Sequence, residues 1–431
     1  MLHVVALYED KIYSVGGTVT GVTNDTISGM PYKEGTTERL TDPFYLDSYL
    51  RIVDFSQPVD PSKNSIDIST DKITTVIRLP DNIPRVSGGT LFISAGVMHM
   101  LPGKNTFPNI SDADGNILST TAYRTNLSGK VWNFDLSSQE WEVHPSGIED
   151  PAEEAAIAFD AEKQVGWYYG GKVSPDSFLE PSMSTRALHD LYRLDKGEET
   201  PIKVETKSSH IEEVVQGELV YIGGVGEAGI LVLVGGEQGV DTFLLVSPQI
   251  SIDDPSAFLT NTLLQRSTQT VHVFDIATKT WFAQSTTAEQ GFYPSPRAGF
   301  CSIVASAQDN SSHNIYIYGG WSQGGMRTYI TSDIFILTLP AFHWVSVYPL
   351  TGDESELENR PIQNHKCQKL HEKHMVAYRG GKDYLCDNKN LEKFQGMTIF
   401  DISSLTWTTM VELENPKYVV PQALYEIIGG K

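Results

Sequence analysis

Apolar residues arrive in short blocks along this chain, separated by polar, turn-rich stretches, and the blocks are too short and too closely spaced for packed helices. "IYSVGG" (12–17), "GWYYGG" (166–171), "GILVLVGG" (229–236) and "NIYIYGG" (314–320) each close an apolar run on two glycines, and "MVAYRGG" (375–381) does so after an arginine. A second pattern follows downstream: "VWNFDLSSQEW" (131–141), "VHVFDIATKTW" (271–281) and "MTIFDISSLTW" (397–407). In each, a strand ends on aspartate, a polar turn follows, and a tryptophan opens the next strand six residues after the aspartate.

Taken together the blocks give a unit of four strands: a, then b with its glycine pair, a loop of variable length, c ending on aspartate, and d starting near tryptophan. Four short antiparallel strands repeated at intervals of several tens of residues predict an all-β, six-bladed propeller, because each blade buries its faces on its neighbours. The blades fall at about 1–80, 81–147, 153–207, 216–287, 293–350 and 360–413, giving a propeller over 1–413. Residues 414–431 read as a C-terminal tail or as the start of an incomplete seventh blade.

The repeated residues have structural roles. The pairs Gly16–Gly17, Gly170–Gly171, Gly235–Gly236, Gly319–Gly320 and Gly380–Gly381 permit positive φ and close approach of a neighbouring backbone. Asp135, Asp275 and Asp401 can accept backbone N–H groups and start a turn. Trp141, Trp281, Trp344 and Trp407 offer broad apolar faces between blades, with an N–H that can still find an acceptor. Blade 2 carries Leu101-Pro102-Gly103 at its glycine position, blade 3 has Pro201 where tryptophan would fall, blade 5 has Thr338 for aspartate, and blade 1 lacks the tryptophan.

This combination resembles the kelch repeat over nearly the whole chain, and is similar to the central domain of galactose oxidase. "NHKCQKLHEKHMVAYRGGKDYLCDNKN" is further similar to the last blade of fungal cell-surface kelch proteins, in which a cysteine of strand a is matched by one just beyond the glycines. That resemblance implies a Cys367–Cys386 disulfide. It also implies that a membrane anchor can follow "YVVPQALYEIIGGK" (418–431), beyond the end of this chain.

Composition narrows the function classes. A length of 431 residues suits a repeat architecture, and a net charge of −22 disfavours nucleic acid and anionic lipid surfaces as partners. No apolar run reaches the length of a spanning helix. The N-terminal "MLHVVALYEDKIYSVGG" reads as a strand pair rather than a secretion signal, so a secreted form would need its signal upstream. Three cysteines do not form a disulfide scaffold, and Cys301 in "GFCSIVAS" reads as a buried free thiol. His371 and His374 are spaced H-x-x-H on a strand-to-strand turn and read as solvated, and no metal or cofactor is expected. Sequons at Asn24, Asn109, Asn126 and Asn310 fall in predicted loops or turns and are candidate glycosylation sites of an extracellular or cell-surface protein, with a cytoplasmic location the alternative.

In consecutive antiparallel strands, the b–c and d–a connections share one side of the disc. The b–c loops are the long ones, near 18–46, 104–130, 172–187, 237–270, 321–332 and 382–396. Long loops usually carry function, so binding belongs on that face. Candidates are Trp321 and Tyr329, with Phe44, Tyr45 and Tyr384 beside them, and the arginines at blade entries, Arg85, Arg297 and Arg360. These arginines either bind carboxylates or sugars at the channel mouth or pair with carboxylates and carbonyls of a neighbouring blade. Catalytic patterns are lacking: there is no Tyr-His pair for a galactose oxidase-like copper, no G-x-S-x-G elbow and no P-loop. The expectation is a recognition module for a protein or glycan ligand. The alternatives are a galactose oxidase-like enzyme with an unfamiliar site and an intracellular kelch scaffold.

Overall fold

A computed structural model describes residues 4–20, 44–46, 49–80, 82–104, 127–174, 185–207, 211–240, 262–324, 327–347, 361–381, 396–414 and 417–428. Six sheets follow one another around a central channel, each built from four antiparallel strands in the order a-b-c-d, with Thr287–Ala288 added parallel to the outer strand of blade 5. Blade 1 contains Val4–Tyr8, Lys11–Val15, Tyr49–Asp54 and Thr74–Arg78; blade 2, Thr90–Ser94, Val97–Leu101, Lys130–Asp135 and Trp141–Pro145. Blade 3 contains Ala156–Asp160, Val165–Tyr169, Leu191–Leu194 and Ile202–Lys203; blade 4, Glu218–Ile222, Ile230–Val234, Thr270–Asp275 and Thr280–Ser285. Blade 5 contains Cys301–Ser306, His313–Tyr318, Ile334–Leu339 and His343–Ser346; blade 6, Lys366–Leu370, His374–Tyr378, Met397–Asp401 and Thr406–Thr408.

Burial explains why strand b reads as an apolar block rather than an alternation. A sheet covered on both faces needs apolar residues at every position. Val165–Tyr169, Ile230–Val234, His313–Tyr318 and His374–Tyr378 are buried throughout, whereas the outer Trp141–Pro145 is open along most of its length. The core is divided accordingly into six clusters, one at each junction between neighbouring blades.

The tryptophans hold one register, each lying opposite the residue that precedes the turn position: Phe134 faces Trp141, Phe274 faces Trp281, Leu337 faces Trp344 and Phe400 faces Trp407. Trp281 reaches Tyr169 of blade 3 at 5.2 Å between ring centroids, and Trp407 reaches Tyr318 of blade 5 at 5.0 Å. Trp344 donates its indole N–H to the Thr268 carbonyl of blade 4 at 3.0 Å. Asp135, Asp275 and Asp401 each accept two backbone N–H groups from the turn that follows, those of Ser137 and Ser138, Ala277 and Thr278, and Ser403 and Ser404.

The glycine pair docks each blade on the next. Gly17, Gly171, Gly236 and Gly320 donate their N–H groups to carbonyls of Val86, Val214, Arg297 and Ile362 in the following blade. At Gly319, with φ 66°, a Cβ would stand 2.5 Å from the Ile362 carbonyl oxygen, so no side chain fits. Blade 6 departs from its expected register. Lys366 pairs with Tyr378, and Gly381 bridges Gln363 as Lys172 bridges Glu153. The pair occupying the glycine positions is therefore Arg379–Gly380, both at positive φ, rather than Gly380–Gly381.

The ring closes between blades 6 and 1 by a device the repeat does not contain. Met410–Glu412 pairs with Ser65–Asp67, a strand between c and d of blade 1, and His371 reaches Asp10 at 3.1 Å. The tail does not open a seventh blade: Gln422–Ile428 is a short helix, and Tyr418, Val420 and Leu424 bury in the core between blades 5 and 6.

The expected cysteine pairing is corrected as well. Cys367 is joined to Cys301, with Cα atoms 5.4 Å apart, because the innermost strands of blades 5 and 6 run side by side there. Cys301 is thus not a free thiol, and Cys367 has no sulfur valence left for Cys386, which lies outside the described residues.

Candidate functional site

Strand a of blades 2 to 6 begins two residues after a position in the left-handed region: Gly88, Glu154, Gln216, Gly299 and Asn364 have φ between 55° and 68°. Their amides link blade to blade. Glu154 donates to Gly88, Gln216 to Glu154, Gly299 to Gln216 and Asn364 to Gly299, a belt of backbone hydrogen bonds of 2.6 to 3.1 Å round the channel on the long-loop face. Just inside it lies a cavity of about 30 Å³, lined among others by Glu154, Gln216, Glu218, Asn364, His365 and Lys366. That space admits a water or two and not an organic ligand.

The channel wall carries buried charge. Glu218 of blade 4 meets Lys366 of blade 6 at 3.2 Å and accepts a bond from Ser302 of blade 5 at 3.1 Å. Burial pushes the Glu218 carboxyl up, and Lys366 and Ser302 partly offset it. Near the mouth, Lys172 lies 2.7 Å from Glu154, and Ser174 donates to Glu153. Burial pulls the Lys172 ammonium down, but Glu154, Glu153 and Glu237 more than offset that and leave it raised. Burial pushes Glu237 up, Lys172 opposes and Glu154 adds, leaving it at about 7.

Beside the belt, b–c loops rise as two-stranded ribbons: Thr18–Thr20 with Phe44–Leu46, Lys172–Val173 with Arg186–Ala187, Glu237–Val240 with Thr262–Gln265, and Trp321–Gly324 with Arg327–Ile330. Gln265 ties the ribbons of blades 4 and 5 together, donating to the Trp321 carbonyl and accepting from the Gln323 amide, both at 2.8 Å.

The candidate binding residues divide. Trp321 is half-buried at the mouth and donates its indole N–H to Gln216 of the belt at 3.1 Å, while Tyr329 stands 46% exposed on the ribbon opposite Ser322. Arg297 is 0% exposed and its guanidinium is held by both oxygens of Asp333, the Gly319 carbonyl and Ser295. It pairs within its own blade and does not reach a ligand. Arg85, half-buried, donates to the carbonyls of Leu79, Pro80 and Ile83 in the connection that precedes it. Arg360, Tyr384 and the sequons Asn24, Asn109 and Asn126 lie outside the described residues. Asn310 is exposed in the a–b turn of blade 5, on the face away from the long loops.

Sequence reasoning missed the channel wall. The signal was present as a recurrence two residues before strand a, in "SGGT", "EEAA", "QGEL", "AGFC" and "NHKC", where glycine, asparagine or a polar residue takes the left-handed position.

Glycine pairs that dock blade on blade, aspartate-capped turns and inter-blade indoles define a six-bladed, kelch-type β-propeller. The chain is similar to a Kelch repeat-containing protein of Arthroderma benhamiae, at 25% identity over 391 residues, which takes in 80% of this chain and 50% of the relative. It thus spans about half the length of that curated relative. No family model matches the chain. Among the described residues, no helix is long and apolar enough to cross a membrane.

Proposed function

We propose that the chain is a non-enzymatic recognition module, displayed at a fungal cell surface or secreted, that binds protein or cell-wall carbohydrate through its long-loop face. The observation that carries this reading is the set of ribbons on one face, with Tyr329 exposed beside the half-buried Trp321. Aromatic faces of this kind stack on sugars or fill pockets of a protein partner, and Tyr and Trp lose little conformational freedom on binding. The cavity of about 30 Å³ inside the belt holds a water or two and serves to brace the face. An oxidising location fits the Cys301–Cys367 disulfide and the exposed sequon at Asn310.

Calorimetric titration with soluble β-glucan, chitin and mannan oligosaccharides, alongside a panel of purified cell-surface proteins, tests the proposal. Binding that Tyr329→Ala weakens without lowering the melting temperature, and that Trp321→Ala also weakens, supports it. Binding that survives both substitutions unchanged places the ligand elsewhere and overturns the assignment of this face.

A further inference from the structure

We infer that Cys301, Cys367 and His365 form a soft-metal clasp which closes once the disulfide between the two cysteines is reduced, and that monovalent copper is the cation it takes. The two sulfurs and a ring nitrogen of His365 lie within 4.8 Å of one another, and all three residues are buried. His365 is 1% exposed, and among the described residues the Tyr318 backbone is the one polar group near its ring, at a geometry short of a full hydrogen bond. A buried imidazole so poorly paired is rare, because each unmet polar atom costs free energy. A metal–nitrogen bond would answer one of them.

The surroundings suit a ligand. Tyr318 packs edge-on against the imidazole with ring centroids 5.1 Å apart and fixes the plane of the ring. Cys301 opens strand a of blade 5 and Cys367 is the second residue of strand a of blade 6, so both sulfurs stand on strands whose spacing the sheets and the belt hold fixed. His365 also lines the channel cavity, which gives an ion a route in.

The chemistry balances as follows. A dithiol or phosphine supplies two electrons, the S–S bond breaks, and two protons from water leave two thiols. Binding the cation then releases both protons as two S–Cu bonds and one N–Cu bond form. Thiolate and imidazole are soft to borderline donors that favour Cu⁺. Among the described residues no fourth Cys, His or carboxylate joins the group, whereas structural zinc sites take four ligands.

The test uses the full chain, reduced with a phosphine, desalted without air and titrated with Cu⁺ held by a chromophoric chelator. One copper per reduced chain and none per oxidised chain are expected, with His365→Gln weaker by about ten-fold or more. Equal uptake by the oxidised chain, an unaffected His365→Gln variant, or preference for Zn²⁺ in competition overturns the proposal. Cys301→Ser is expected to lose the copper. Should that variant fail to fold, copper-edge absorption on the unaltered chain decides: two sulfurs and one nitrogen support the clasp, and any other shell overturns it.

Discussion

The junction between blades 5 and 6 and the junction between blades 2 and 3 are built to one plan and finished differently. Among the described residues, the first buries 19 core side chains and the second 7. Blades 5 and 6 are joined by the disulfide, by the Gly320 amide on Ile362, and by the tail, whose Tyr418 hydroxyl meets those of Tyr316 and the amide of Asn314. In blade 2 Pro102 takes the first position of the pair and Gly103 the docking one, so the amide lost to proline is the one that Gly170 and Gly319 give to their own blades, and a small void lies beside it between Leu101, Ile148 and Tyr168. Repetition fixes the geometry of a junction, and the non-repeated additions decide its strength. Native-state hydrogen exchange is expected to show earlier opening at blades 2 and 3 than at 5 and 6, and equal protection would remove the contrast.

Gly319→Val should have the largest effect at the strong junction. It forces a side chain onto the Ile362 carbonyl at a left-handed position, a strain of order 3 kcal/mol before the clash is counted, and the variant is expected not to accumulate as folded protein. Reduction of Cys301–Cys367, which closes a loop with a sequence separation of 66, should cost about 4 kcal/mol. Thermal unfolding with and without reductant measures it, and non-reducing peptide mapping checks the pairing. Tyr316→Phe removes the hydroxyl that joins Tyr418 to the Ile402 carbonyl and should cost about 1–2 kcal/mol, seen as a lower urea midpoint.

The neighbouring junction of blades 3 and 4 is tested through pH. Glu237 titrates at about 7 in the fold against an ordinary 4.5, so the folded state holds its proton more tightly than the unfolded chain. The associated stability is complete below about 4.5 and is lost as pH rises through 7. Glu237→Gln should therefore be about 3 kcal/mol more stable than the parent at pH 8 and indistinguishable at pH 4. A difference that persists at pH 4 would point to packing instead.

What could be read from the sequence follows from this division. The six blades, the turn aspartates and the indole contacts at Trp281, Trp344 and Trp407 recur in register, and recurrence exposes them without any knowledge of distant contacts. The seam between blades 6 and 1 is written once, in Ile66, Ile68 and Val411, so no comparison within the chain could reveal it. The same applies to Cys301–Cys367: strands adjacent across a junction lie far apart in sequence, and resemblance pointed to a partner nearer along the chain. Blade 6 misled because Arg379 tolerates a left-handed conformation that the pattern assigns to glycine, which displaces the visible pair by one residue. The arginines were ambiguous since exposure is set by partners such as Asp333, in a loop whose path the sequence does not specify.

Because the belt is tied by main-chain atoms alone, it places no demand on which side chains project beneath it. Two residues on from each belt position stand Thr90, Ala156, Glu218, Cys301 and Lys366: a hydroxyl, a methyl, an acid, half of a disulfide and a base at five equivalent stations of one circle. Such a frame lets these five stations be rewritten one at a time while the wheel itself keeps its shape.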